Sequence, residues 1–356
     1  MASPNPPPSP SRSPSPSAAS ERVDYGSPGL VEATSGEVDQ GRDTSFQTTY
    51  PAVEAFMHEL LQDYWRPHEL KYSPEDSRRF QTMPAGLRHA ATVVLQWFAH
   101  ADVMVGDNAQ FVGSHVDDAA IQATYSWIEA VEKAIHAPTY SELLKNLVGE
   151  ARHDLGDMQR CVRDKVEVAQ CVLREAHRDT GDVGLAVFTG AVIEAVLFQT
   201  SFLIIARTRL VNGPQVLADA NNLISKDEGK HVRFAALVAR SLQVHLPPPV
   251  ACVVVRRLVA AEKMFIRELL EEPVPGLVGE DLERYAEFIG DYVLELFGYE
   301  RLWGVTNPFP EMASVALPTV PNFFDRAGSA YVLAPREVVP ESAFAGGEEE
   351  TATTNE

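Results

Sequence analysis

The chain has 356 residues, 45% of them hydrophobic, enough for one large domain of roughly 250–300 residues plus tails. Its 30 Lys and Arg stand against 50 Asp and Glu, a formal charge of −20, which argues against sequence-independent nucleic-acid binding and against adhesion to an anionic membrane. Three cysteines (Cys161, Cys171 and Cys252) without a C-x-x-C argue against a disulfide scaffold and for a reducing, cytoplasmic compartment, and no signal peptide is evident.

Residues 1–45 are rich in Pro, Ser and Gly and have almost nothing to bury, so a disordered leader is expected. Breaks at Pro51, Pro67, Pro84, Gly149, Gly181, Gly213-Pro214, Pro247 to Pro249 and Pro273 to Gly279 then separate long stretches with 3.6-residue periodicity. They predict helices near 51–64, 84–109, 116–148, 152–178, 183–210, 215–244, 248–271 and 279–298. Strand alternation is weak and no fixed repeat occurs, so the fold class is all-α, a long-helix bundle. A mobile, acidic tail is expected over 332–356, ending in Glu348, Glu349, Glu350 and Glu356.

In the helix near 84–109, Asp102 falls on the apolar stripe of Ala91, Val94, Leu95, Phe98 and Val105; a lone inward Asp is otherwise a cap or a satisfied core residue. The next helix carries His136 with Tyr140 one turn later, an imidazole beneath a phenol, or else two ordinary core fillers. In the run Val183 to Ala206, Glu194 lies near the centre with Gln199 beyond, which favours a buried core helix over a membrane span. Glu194 is the only acidic residue between Asp182 and Asp219, and a buried Glu needs a cation or a donor. In Ile224 to His231, Glu228 and His231 stand three apart on one helix face, which is otherwise apolar through Ala220, Ile224, Ala235, Val238 and Leu242. Glu-x-x-His is the half-motif of di-iron carboxylate bundles, although the pair by itself also occurs on solvated faces. Four helices thus aim Asp102, His136, Glu194, Glu228 and His231 inward. Their mixed oxygen and nitrogen donors suit iron or manganese better than structural zinc.

These segments resemble the ribonucleotide reductase small subunit. Ile224-Ser225-Lys226-Asp227-Glu228-Gly229-Lys230-His231 resembles its I-S-R-D-E-x-x-H signature. Ile193 to Phe198 followed by Ser201-Phe202 resembles V-E-G-I-F-F-x-x-S-F, and Phe98 to Asp102 resembles F-x-x-A/S-D. His136 to Ser141 resembles H-S-x-x-Y, Trp65 to Leu70 the tryptophan segment, and Asn307-Pro308-Phe309 and Asn322 to Asp325 the N-P-F and N-F-F-E/D segments. The resemblance spans 46–331, and the short core and Pro/Ser-rich leader look most similar to the herpesvirus branch.

The resemblance implies a ferritin-like bundle that generates and stores a tyrosyl radical at a dinuclear metal centre and works with a large subunit in deoxyribonucleotide synthesis. It implies Tyr140 as radical tyrosine, Asp102, His136, Glu194, Glu228 and His231 as metal ligands, and Trp65 and Asp227 as radical-transfer residues. It also implies two irons per chain, with manganese second, and a homodimer.

One position departs from the pattern. The family has a metal-bridging glutamate three residues before the first ligand histidine, and here that position is Lys133. With three carboxylates left, the expectation is one metal, or none with Lys133 paired to Glu194 or Glu228. The alternative is that Glu132 or Glu129 substitutes through a rotation or a π-bulge. The tail also lacks a clear apolar end, with Tyr331-Val332-Leu333 the only aromatic-apolar candidate. Two further readings stay open: a non-catalytic descendant acting through partner binding, and a ferritin-like metal protein without a large subunit.

Overall fold

The computed structural model describes residues 46, 48–149, 159–271, 273, 274 and 276–310. The leader, the tail, the Asn322 to Asp325 segment and Tyr331 to Leu333 lie outside the described residues.

Within them the chain forms α1 (Pro51–Gln62), α2 (Pro74–Thr82), α3 (Ala85–His115), α4 (Ala119–Val131), α5 (Ala137–Leu143) and α6 (Arg160–Arg174). It continues as α7 (Val183–Val192), α8 (Phe198–Arg207), α9 (Gln215–Ser241), α10 (Pro248–Leu269) and α11 (Gly279–Leu296). No strand occurs among the described residues, and the molecule is the all-α, ferritin-like bundle expected.

Helix starts follow capping chemistry. Asp118 accepts from the amides of Ala120 and Ile121 at 3.0 and 3.1 Å and opens α4. Asp182 accepts from Leu185 N and opens α7. Periodicity did not reveal α2, yet its start is written in Ser73-Pro74-Glu75-Asp76: a Ser/Asp capping box with proline at N1.

Two of the long helices are rods jointed by π-turns. Glu132–His136 links α4 to α5, and Ile193–Leu197 links α7 to α8. A π-turn holds one more residue than an α-turn, so each joint resets which side chains face the core. α3 packs along α4, α5 and α7, α9 lies against α7 and α8, and α10 packs on α6 and α11.

The core between them is aromatic at its centre. Phe98 stacks on Tyr140 at 4.6 Å and on Phe202 at 4.8 Å. Each such fully buried ring contributes roughly 1.5–3 kcal/mol. The apolar run over α7 and α8 is buried inside this bundle, which accounts for its hydropathy without a membrane.

Candidate metal centre

Six ionisable side chains converge where α3, the α4–α5 rod, the α7–α8 rod and α9 meet. Asp102, Glu132, His136 and Glu228 are 0% exposed, His231 is 3% and Glu194 is 5%. They form two overlapping clusters, Glu132, Glu194, Glu228 and His231 in one and Asp102, Glu132 and His136 in the other. Within each cluster the facing oxygen and nitrogen atoms all lie within 4.8 Å of one another, and Glu132 belongs to both.

The close contacts carry a further signal. His231 Nδ1 is 2.9 Å from Glu132 Oε1 and 3.5 Å from Glu228 Oε2, and His136 Nδ1 is 3.0 Å from Glu228 Oε1. Yet Glu132 Oε1, both Glu228 oxygens, both Asp102 oxygens and His231 Nδ1 make no aligned hydrogen bond. Buried carboxylates without donors are costly, so lone pairs crowded on a common point fit a cation rather than one another. The donor set, four carboxylates and two imidazoles with no sulfur, suits iron or manganese, and four carboxylates balance two divalent ions.

The pairing of Lys133 with Glu194 or Glu228 is not what the structure holds. The π-turn from Glu132 to His136 brings residues four apart onto one side, so Glu132 stands where an α-helix would have placed Lys133. Lys133 turns outward instead, its Nζ 2.7 Å from Asp107 and 3.0 Å from Glu129. Gly106 makes room for this, because a Cβ there would sit 3.0 Å from Lys133 Cγ and Cε. Lys133 therefore pairs with neither Glu194 nor Glu228, and Glu129 is engaged by Lys133 rather than by the cluster. The alternative carried by Glu132 is the geometry found.

The electrostatics match a site shaped for positive charge. Burial drives Asp102 well above the usual carboxylate range, reinforced by the charge of Glu132. Burial likewise raises Glu194, with His231 opposing. Burial would also raise Glu228, but the imidazoles of His136 and His231 close beside it hold it at about 2. Both imidazoles rise well above their ordinary value despite burial, held up by the carboxylates around them.

The remaining expected residues line up behind His136. Its Nδ1 faces the cluster, and its Nε2 lies 3.4 Å from Asp227 Oδ2. That same oxygen accepts from the Trp65 indole at 2.8 Å, and the Trp65 and His136 rings lie near-parallel with centroids 6.0 Å apart. A histidine tied through its far nitrogen to a carboxylate is the usual support of a metal-bound imidazole. Tyr140 is buried with its hydroxyl unpartnered, and burial, then the charges of Asp102, Glu228 and Glu132, drive its pKa far up, so the phenol stays protonated.

Sequence reasoning missed Lys230. Its Nζ is 2.7 Å from Asp63 and 3.7 Å from Asp227, and its side chain is nearly buried. Its neighbours one turn away on the helix are Lys226, Asp227, Arg233 and Phe234, a mixed face that gives no sign of its burial in the sequence.

The fold and the buried carboxylate–histidine cluster define a ferritin-like helical protein with a candidate dinuclear site. The family model for the ribonucleotide reductase small chain matches residues 42–308. The ribonucleoside-diphosphate reductase small chain of Nicotiana tabacum is 30% identical over 296 residues, spanning 80% of this chain and 87% of that one. Among solved structures, the ribonucleotide reductase R2 subunit from Clostridium botulinum has a TM-score of 0.67 at 15% identity, covering 75% of this chain and 89% of that one. The ribonucleotide reductase Rnr4 homodimer from Saccharomyces cerevisiae has a TM-score of 0.66 at 17% identity, covering 76% and 87%; at those identities the likeness is one of fold. The chain belongs to the ribonucleotide reductase small-chain family.

Proposed function

We propose that this chain is a working radical-generating small subunit of ribonucleoside-diphosphate reductase, with Asp102, Glu132, His136, Glu194, Glu228 and His231 as the ligands of two metal ions. The observation that carries this is Glu132, which is shared by both clusters and restores the fourth carboxylate that Lys133 had put in doubt. A pair of iron or manganese ions, if bound by these residues, would supply, with dioxygen as the oxidant, the redox chemistry that removes an electron and a proton from Tyr140.

The chain's own residues do the rest. Phe98 stacks on the Tyr140 ring and the buried hydroxyl has no donor beside it, so a radical there is shielded from reductants. His136 and Asp227 join the centre to Trp65 by contacts of 3.4 and 2.8 Å, a path for an electron to move toward Tyr140 from a large subunit. We place the protein in the cytoplasm, as a homodimer like the yeast relative's, paired with a large subunit. The herpesvirus assignment rests on the short core and the Pro/Ser-rich leader. A ferritin-like oxidase without a large subunit has no use for the Trp65–Asp227–His136 chain, and the non-catalytic reading loses its main ground once Lys133 leaves the site.

Two measurements test the proposal together. Elemental analysis is expected to find two metals per chain. Glu132→Gln should lower metal affinity at least tenfold, and Lys133→Gln should leave it unchanged. Electron paramagnetic resonance after iron loading in air should show a tyrosyl signal that vanishes in Tyr140→Phe. A folded, metal-loaded protein silent in that spectrum would overturn the radical role.

A further inference from the structure

A second buried charge pair lies outside the metal cluster. Lys165 on α6 and Glu262 on α10 are 1% and 0% exposed, with Nζ and Oε2 2.7 Å apart. The ammonium sits over the rings of Trp97, at 4.3 Å, and Phe265, at 4.0 Å. Taking both charges out of water is expensive, and an apolar pair of similar volume is often as stable or more so. Packing alone therefore does not explain the pair.

Its other contacts do. Lys165 Nζ donates to the Leu197 carbonyl at 2.8 Å and reaches Ser201 Oγ at 3.5 Å, while its contact with Glu262 Oε2 is an ion pair without an aligned hydrogen bond. Leu197 is the last residue of the π-turn Ile193–Leu197 that carries Glu194. The Thr200 hydroxyl, three residues further on, donates to Glu262 Oε1. Leu197 is also the N-cap residue of α8, so the ammonium on its carbonyl fixes the point where the π-turn hands over to the next helix.

We propose that Lys165, backed by Glu262, is a positioning residue that holds the α7–α8 joint in its π form and thereby keeps Glu194 aimed at the metal centre. The inference rests on the metal-centre reading above. Lys165 touches no metal ligand side chain. It acts by holding the Leu197 carbonyl at one end of a five-residue turn whose second residue is Glu194. Supporting groups of this kind shift metal affinity by about 10–100-fold.

The test is titration of the full chain with cobalt(II), whose visible ligand-field bands report ligand geometry, alongside thermal unfolding without metal. The parent is expected to take up two cobalt ions. The double variant Lys165→Met with Glu262→Leu keeps an apolar core and is expected to unfold no lower than the parent. It should bind one of the two cobalt ions about tenfold or more weakly, with altered bands. Glu262→Gln keeps a polar group beside Lys165 but removes its charge partner, so cobalt binding there should fall between that of the parent and that of the double variant. Lys263→Met, on the same helix as Glu262, breaks an ion pair with Glu287 on α11; it is the control and should change nothing. A folded double variant with parent affinity and parent bands overturns the positioning role alone. If the double variant does not fold, the single Lys165→Met titration decides by the same criterion, and misfolding of both contradicts the expectation that the pair is dispensable for packing. A parent that binds no cobalt overturns the metal-centre reading and this inference with it.

Discussion

Asp227 is the residue on which the proposed radical path turns, because one of its oxygens serves two partners. Oδ2 accepts from the Trp65 indole at 2.8 Å and lies 3.4 Å from His136 Nε2. Asp227→Asn keeps the size of the side chain but removes the charge that orients both rings. The expected outcome is a tyrosyl signal near the parent's and a loss of reductase turnover with a large subunit by about two orders of magnitude. Spin quantitation and a turnover assay on the same preparation check this, and equal loss of both signals would move Asp227 from the path to the metal site. Glycine at 190 is a second single-residue constraint. A Cβ there would lie 2.3 Å from Asn108 Nδ2, which itself binds the Ala186 carbonyl at 3.3 Å and whose oxygen faces His177. Gly190→Ala should therefore displace Asn108 and cost about 1–3 kcal/mol in urea unfolding.

At the scale of elements, Asp76 ties two helices together at their starts. It closes the capping box of α2 with Ser73, and its Oδ1 accepts from Gln215 N at 2.8 Å and Val216 N at 3.3 Å, capping α9 as well. α9 carries Glu228 and His231, so this cap anchors one side of the cluster. Burial would raise the Asp76 carboxyl, but hydrogen bonds from Ser73, Val216 and Gln215 outweigh it and hold the group below its ordinary 3.8. Its contribution is thus present above that value and fades as pH falls through the folded-state value. Asp76→Ala is expected to cost about 1–2 kcal/mol at neutral pH. In chemical unfolding the gap from the parent should shrink below pH 3.8; a gap that does not change with pH would assign the loss to packing instead. The helices themselves were legible from periodicity and from proline and glycine breaks, since long amphipathic rods write their buried face into the chain. Asp102, His136, Glu194, Glu228 and His231 were legible because a charge on an apolar stripe is costly unless an ion or a donor meets it there. Helix α2 was overlooked because it is short and mostly polar, with only Asp76 and Phe80 buried. The choice between Lys133 and Glu132 was not legible, because it depends on a hydrogen-bond shift in the backbone that no side-chain pattern encodes.

For the whole molecule, the proposed centre concentrates four carboxylates in the buried interior, and bound metal should therefore stabilise the entire bundle. At a free metal concentration a hundred times the dissociation constant the gain is about 2.7 kcal/mol. Thermal unfolding should rise on loading with iron(II) under anaerobic conditions and fall back with a chelator, and Glu132→Gln should blunt the rise. An unfolding temperature indifferent to metal would count against the cluster as a binding site. The π-turn at Glu132 has a last consequence, and it concerns descent rather than chemistry. An extra residue inside a helix normally rotates everything beyond it, but a π-turn absorbs the addition within one loop of chain and leaves both flanking faces in phase. Lys133 thus reads as an inserted residue instead of a replaced ligand. Excising it would leave Glu132 three positions before His136, the ordinary Glu-x-x-His spacing in an unbroken α-helix. A chain shortened by that one lysine should fold and bind two metals, whereas a true loss of the bridging carboxylate could not be repaired by deletion.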